Sequence, residues 1–462
     1  MEFTDIPGLD VRPGLLTVWR PAPREGRSAH WIPDVRPPSY SQEGHLTHRR
    51  TADGLSPSWI GTAFELAGTL DTEALETALT AWIDRHESLR SHLVPHKSRL
   101  LRSTLAPGTV PLRRTAVGTF PSGDALSRHI EALFDREANP AAWPSYLFAG
   151  VTRPGSTTLY MGFDHSNVDG YSLALAAYEI RELYQAAQCG GRPELDEVGS
   201  YLDFAACERR AAVLVGKDHE TVIRWRDFVT SAGGNLPAFP APVGGAEASS
   251  FPQINGLEWL LDAAQAAALE ARCRQIGGSF IAGLLACLAL AADTKTEPST
   301  QRREFSTLMP FHTRNQARWE RSVGWYVGLA PVRFTVQADD GFDALTLRAT
   351  AALKEARPMA QVPFDRVTEL LGVALEPRFF VSYMDLRHVP GAQQWAEWKA
   401  AMLRSRRIHP HEVYLWVNRS HEGTYVSFRY PNTEPGRETI PHYVSNFRQI
   451  MLSTVADREA AA

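Results

Sequence analysis

The stretch from Phe163 to Gly170, FDHSNVDG, gathers groups that can do chemistry: one imidazole between two carboxylates, closed by a glycine. Histidine is the side chain best suited to accept a proton near neutral pH. Asp169 either orients the His165 imidazole or turns away and fixes the loop through a partner elsewhere. Gly170 permits a backbone angle that a side chain would forbid. On a continuing strand Asp164 points to the opposite side from His165. If it approaches the ring instead, it favours the protonated form and weakens the base.

The flanking residues show what must hold that histidine. Leu147 to Thr152 and Thr157 to Phe163 read as strands joined by the turn RPGS, and Leu173, Ala176, Ala177, Ile180 and Leu183 repeat at helical spacing. His165 therefore falls in a tight loop just past a strand end and before a helix, where a rigid scaffold holds catalytic groups. Upstream, Trp59 to Gly68 reads as a strand and leads into a helix with Leu75, Leu79, Trp82 and Ile83 on one face. Asp71 or Thr72 caps that helix, with Glu73 in its first turn. The plan recurs downstream, where GLEWLLD leads into AAQAAALEARCRQIGG: a strand, an aspartate, then an alanine-rich helix ending at glycines. The chain thus reads as two related halves.

At 462 residues the chain is long for one core, so two domains are expected, 1–195 and 196–462, with a cleft at their boundary. After Cys189 to Pro193 comes a helical stretch, and then SAGGNLPAFPAPVGGAEASSFP, residues 231–252, reads as linker or surface loop. VYLWVN and TYVSFRY form a hairpin around Glu422 and Gly423. In the tail, Tyr443, Phe447, Ile450 and Met451 share a helical face that should pack on a sheet.

Composition narrows the function classes. Hydrophobic content of 44% with 22% charged residues is that of an ordinary globular protein, and the net charge of −4 offers no field for nucleic acid or an anionic membrane. Four cysteines without a CxxC pair fit a reduced cytoplasm, and the acidic N-terminus lacks the apolar core of a secretion signal. The longest apolar run, Phe280 to Ala292, is too short to span a bilayer and reads as a buried helix.

No phosphate-binding loop, dinucleotide fingerprint or GxSxG elbow appears. His409, His411 and Glu412 lack a further spaced ligand, so no metal is expected. Arg85, His86 and Arg90, at a helix end, suit the helix dipole and read as structural. Trp325 and Tyr326, beside Gly324 and Gly328, either line a substrate tunnel or belong to the core.

Several segments together carry a resemblance. FDHSNVDGYS is similar to the HHxxxDG hallmark of the condensation-domain superfamily of chloramphenicol-acetyltransferase-like enzymes, from its second histidine onward. PPSYSQEGHL (37–46) resembles its SxAQ motif, DRHESLRSHL (84–93) its RHExLR motif and SYLDFAA (200–206) its YxDFA motif. SVGWYVGLAPVRF (322–334), QVPFDRV (361–367) and FFVSYMDLR (379–387) are similar to the GxFVN, PFE and final motifs, in the correct order.

The resemblance implies an α/β fold of two chloramphenicol-acetyltransferase-like halves, arranged as a V-shaped pseudodimer with a central tunnel. It implies His165 as the active-site base or orienting group, and Asp169 as a structural acid paired with Arg314. Gly170 would keep the tunnel open, and Ser166, Asn167, Trp325 and Tyr326 would line it. Asp164 stands where the family has its first histidine. The implied activity is a freestanding condensation-type acyltransferase of specialised-metabolite or lipid biosynthesis. It would move an acyl group from a carrier-protein phosphopantetheine or coenzyme A thioester to an amine or hydroxyl. An acyl or peptidyl carrier protein is the expected partner and a small molecule the acceptor, with no permanently bound cofactor. The alternatives are a catalytically silent docking relative and an epimerase-like relative.

Overall fold

The computed structural model describes residues 1–22, 31–48, 50–51, 54–55, 58–97, 99–244, 252–292, 303–407 and 409–459. The chain forms two compact units: Met1–Leu214 with Arg314–Tyr326 and Val389–Arg407, and Val215–Thr313 with Val327–His388 and Ile408–Ala462. Where the sequence reading divided the chain once, at 195/196, the first unit runs on to Leu214 and takes back two later segments. Those segments are short and lie far along the chain, so no local composition marks their return.

The first unit is built on a seven-stranded mixed sheet. Its strands run in the order Glu2–Thr4, Ala401–Arg404, Trp59–Ala67, Ser156–Asp164, Tyr146–Arg153, Leu15–Pro21, Leu112–Thr119. Strand alternation sorts the two faces. Trp59, Ala63, Leu147, Ala149, Val151 and Tyr160 join Leu126, Ile130, Leu133 and Phe134 of helix Gly123–Glu137 in one core cluster. Phe148 and Phe163 meet Trp82 of helix Thr72–Arg85 through ring contacts. A Cβ at Gly162 would sit 2.7 Å from the Phe134 ring, so any side chain there would have to displace that ring.

Helix Thr72–Arg85 starts where its sequence signals place it. Asp71 accepts the Ala74 amide, and Leu75, Leu79, Trp82 and Ile83 are fully buried. The strands Tyr146–Arg153 and Ser156–Asp164 pair in register from Tyr146–Phe163 to Arg153–Ser156, around a turn in which Gly155 takes a left-handed φ of 79°.

The second unit has a six-stranded mixed sheet in the order Ile254–Asp262, Gly423–Tyr430, Val413–Arg419, Phe379–Asp385, Arg303–His312, Val327–Val336. The expected strand-aspartate-helix repeat is present, with Asp262 closing a capping box with Gln265 at the start of helix Ala263–Gln275. Helix Phe280–Ala291 is buried almost throughout, as its apolar run predicts. The C-terminal helix Glu434–Glu459 buries Tyr443, Phe447 and Met451. It packs on helices Phe280–Ala291 and Ala263–Gln275 and, as expected, on the sheet, at the edge strand Ile254–Asp262: the Tyr443 hydroxyl donates to the Leu288 carbonyl at 2.7 Å, and Arg448 Nε to the Trp259 carbonyl at 3.0 Å. Residues 245–251 of the expected linker lie outside the described residues. No single described helix is long and apolar enough to cross a membrane.

Candidate active site

The strand Ser156–Asp164 ends at Asp164, the chain turns through His165 to Asn167, and helix Gly170–Cys189 begins. The turn is tied down by its backbone. The Asp164 amide donates to the Ser145 carbonyl at 2.8 Å, the His165 amide to the Ser58 carbonyl at 3.2 Å, and the Asn167 amide to the Asp164 carbonyl at 3.0 Å. The Asn167 side-chain amide donates to Ser145 Oγ at 2.7 Å.

The expected pairing of Asp169 with Arg314 is present. Arg314 reaches the carboxylate in a two-pronged contact, NH1 to Oδ2 at 2.7 Å and NH2 to Oδ1 at 3.0 Å, with both side chains about 95% or more buried. The same carboxylate accepts the Ser172 amide and hydroxyl at 2.8 Å each, capping the helix, and the Tyr326 amide at 3.0 Å. Burial alone would push this carboxyl up. The Arg314 charge, then the hydrogen bonds from Arg314 and Ser172, outweigh it and hold Asp169 below the usual carboxylate range.

Asp169 and Arg314 thereby fix the segment from Ser322 to Tyr326. Arg314 NH2 donates to the Ser322 carbonyl at 3.2 Å, the Gly324 amide donates to Ser172 Oγ at 3.2 Å, and the Ser88 hydroxyl donates to the Val323 carbonyl at 3.0 Å. A Cβ on Gly324 would fall 2.3 Å from the Tyr201 ring, while the Tyr201 hydroxyl donates to the Trp325 carbonyl at 3.1 Å. The result is an indole laid on the imidazole, with the ring centroids of Trp325 and His165 4.0 Å apart and 25° from parallel.

His165 remains partly exposed, and its buried Nδ1 reaches no other described residue. Burial, followed by the nearby His45, pulls its imidazole down to about 4; Asp164 pulls weakly the other way. Asp164 takes the structural of its two readings and bonds away from the His165 ring. It is fully buried, accepts the Ser166 amide at 2.9 Å and pairs with His45 Nε2 at 3.2 Å. Burial pushes the Asp164 carboxyl up, and the charge and hydrogen bond of His45 overcome that and hold it low. His165 is therefore a neutral imidazole at physiological pH, with an acidic neighbour committed elsewhere.

Two expected roles are corrected. Tyr326 is core: its ring is fully buried among Tyr201, Phe204 and Trp319, and its hydroxyl bonds Ser322 Oγ at 2.8 Å, so it lines no tunnel. Gly170 is the first residue of the helix and has no left-handed φ, so the conformational freedom expected of it is unused. Ser166 and Asn167 are buried and border a small polar cavity with Gln42, Ser91, His92 and Arg102.

The sequence reading missed the groups that hold these parts together. Gln42 donates to the Ser166 carbonyl at 2.9 Å, and His45 follows it on the same helix, Tyr40–His48. Both lie in the quoted segment 37–46, a signal that went unread. Glu179 is almost fully buried and accepts from Trp82 Nε1 at 2.9 Å, Arg85 Nε at 3.0 Å and His86 Nε2 at 2.7 Å, while His86 Nδ1 accepts the Val323 amide at 3.4 Å. Arg85 and His86 are structural, as read, but they act through this buried acid rather than the helix dipole. A glutamate on the apolar face shared by Ala176 and Leu183 was its sequence signal. At the other end of the chain, His409 Nδ1 accepts the His411 and Glu412 amides at 3.3 and 3.0 Å, and Glu412 pairs with Arg429 at 2.6 Å.

An imidazole at a strand-to-helix corner is thus anchored by a buried carboxylate-guanidinium pair within a mixed α/β unit. Residues 33–461 match the family model described as condensation domain, and the chain belongs to that family. Trehalose-2-sulfate acyltransferase PapA2 of Mycobacterium tuberculosis is 28% identical over 458 residues, covering 96% of this chain and 95% of that protein. The 2'-acyl-2-O-sulfo-trehalose (hydroxy)phthioceranyltransferase PapA1 of the same organism is 27% identical over 466 residues, covering 98% of this chain and 88% of that protein. Among solved structures, the PapA2 acyl transferase superposes with a TM-score of 0.86 at 25% identity, covering 98% of this chain and 100% of that one. The chain is an acyltransferase with the α/β fold of condensation-domain proteins.

Proposed function

We propose that this acyltransferase moves an acyl group from a thioester, on coenzyme A or on the phosphopantetheine arm of an acyl or peptidyl carrier protein, to a hydroxyl of a small polar acceptor. The product is an ester, made in lipid or specialised-metabolite assembly. The observation that carries this reading is His165: a neutral, partly exposed imidazole on a pinned loop, backed by Trp325. The relatives named for trehalose derivatives support a sugar-type hydroxyl as the acceptor.

In the reaction, His165 takes the acceptor's proton as its oxygen attacks the thioester carbonyl. An imidazole at about 4 is a weak base toward a resting alcohol, so the proton moves as the C–O bond forms and the hydroxyl becomes strongly acidic. The tetrahedral intermediate then collapses with cleavage of the C–S bond, and the proton passes to the departing thiol. Aligning the two substrates supplies up to about 7–11 kcal/mol, and proton transfer adds about 10²–10⁴-fold. The thioester is a substrate supplied from outside. All four cysteines are free thiols, which supports the cytoplasm as the compartment.

The test is a matrix of purified protein with acyl-coenzyme A or acylated carrier protein against trehalose, trehalose 2-sulfate and a primary amine, read by mass spectrometry. An ester product with either donor supports the proposal. Amide product alone, or exchange of the donor's α-hydrogen without transfer, would replace it with a peptide-forming or epimerase-like reading.

A further inference from the structure

The site has a second imidazole, and it comes from a different element from the first. His45 is buried on helix Tyr40–His48, with Nε2 3.2 Å from Asp164 Oδ2. Its ring meets Trp325 edge-on, with centroids 5.3 Å apart at 80°, and lies 6.3 Å from the His165 ring. Trp325 also covers His165, face to face at 4.0 Å. The three rings form a triangle in which the indole lies flat on one imidazole and takes the other at its side, and the acid preceding His165 in the chain bolts His45 in place.

We propose that His45 is a positioning residue for acyl transfer: its hydrogen bond to Asp164 sets its ring against Trp325 and so holds Trp325 flat over His165. The inference rests on the reading of His165 as the proton acceptor. It also accounts for the acid at position 164, where the resemblance leads one to expect histidine. A fully buried carboxylate is tolerated only with a partner, and His45 is that partner, so the acid and the imidazole 119 positions upstream in the chain form one device. Gln42, on the same helix, grips the Ser166 carbonyl at 2.9 Å, so the helix holds the catalytic loop on both sides of His165.

A merely structural contact and a positioning device differ in what they do to His165. The titratable and charged groups facing its ring are His45 from the helix, Asp164 from its own strand and Arg407 from the segment after strand Ala401–Arg404; His45 and Arg407 pull its protonation down and Asp164 pulls it up. Replacing the two partners must therefore move His165 in opposite directions.

The experiment uses the full chain, with histidine-selective NMR and the pH dependence of kcat/KM. The His165 resonance is assigned by its loss in His165→Gln. His45→Gln keeps a donor for Asp164 but removes the ring. It should return the His165 ring protons toward their unstacked position, raise their titration midpoint and lower kcat by about 10²-fold, the cost of a misplaced group, with KM unchanged. Asp164→Asn should lower the midpoint instead. The exchange variant, His45→Asp with Asp164→His, restores the pair but leaves no ring at position 45, so its kcat should stay about 10²-fold low, like that of His45→Gln.

Wild-type ring shifts, midpoint and kcat in His45→Gln would overturn the proposal, and so would a folded exchange variant that regains the wild-type kcat without a ring at position 45. If the exchange variant fails to fold, His45→Gln alone decides. Unchanged turnover in His165→Gln, with ring shifts that still respond to His45→Gln, would remove the base assignment and leave the positioning of the stack standing.

Discussion

Two corners of this chain follow one plan, and they differ in the group on which the helix begins. In the first unit the hairpin Tyr146–Arg153 and Ser156–Asp164 runs into helix Gly170–Cys189; in the second, Val413–Arg419 and Gly423–Tyr430 run into helix Glu434–Glu459. The second helix starts on a neutral cap: the Thr433 hydroxyl accepts the Gly436 amide at 3.0 Å and donates to the Val243 carbonyl at 2.6 Å. The first starts on Asp169, whose carboxylate also takes Arg314 and the Tyr326 amide. A threonine is enough to begin a helix. The ionic anchor at the first corner therefore serves a further purpose, which is to hold a distant segment so that Trp325 reaches His165.

That contrast is open to attack by substitution. The largest stability effect is expected at the anchor. Arg314→Ala leaves a buried carboxylate without its charge partner and should cost roughly 3–5 kcal/mol in chemical denaturation. Asp169 is held below the ordinary carboxylate range, so its contribution in the wild type is present above that range and is lost as pH falls through the depressed value. Arg314→Ala should already lack it at neutral pH. A loss no larger than a helix cap's would put the two corners on the same footing.

Next comes the cover on the base. Trp325→Leu exposes the imidazole, so the His165 midpoint should rise from about 4 toward the usual histidine value, read by NMR. Because His165 is held neutral, its burial penalises stability progressively as pH falls from the ordinary histidine range toward about 4, and the variant should lose less over that window. At the plain corner, Thr433→Ala should cost about 1 kcal/mol and leave kcat untouched. The smallest effect is expected from Tyr326→Phe. Loss of the bond to Ser322 Oγ should cost about 0.5–1 kcal/mol, with KM unchanged, because the ring belongs to the core.

The local half of the first corner could be read along the chain. Alternating apolar residues predict the hairpin, Asp71 and Asp262 predict their helix starts, and the histidine falls in the loop where the strand pattern ends. The pairing of Asp169 with Arg314 was reached through resemblance, since nothing local to either residue names the other across 145 positions. What stayed hidden was brought in from a distance. Ala401–Arg404 is four residues long, too short for an alternation pattern, yet it completes the sheet of the first unit. His45 has no periodic signal of its own, and its meaning depends on an acid that only the fold brings near. Trp325 and Tyr326 are adjacent, and the sequence gives no way to rank them. The backbone sends one side chain to the imidazole and the next into the cluster with Tyr201, Phe204 and Trp319.

The central claim is that one imidazole accepts the acceptor's proton during acyl transfer. Single-turnover transfer from a matched acyl thioester, compared between wild type and His165→Ala, tests it most directly. A fall of about 10²–10⁴-fold in rate with an unchanged thermal midpoint is the result predicted; transfer at the wild-type rate would contradict it.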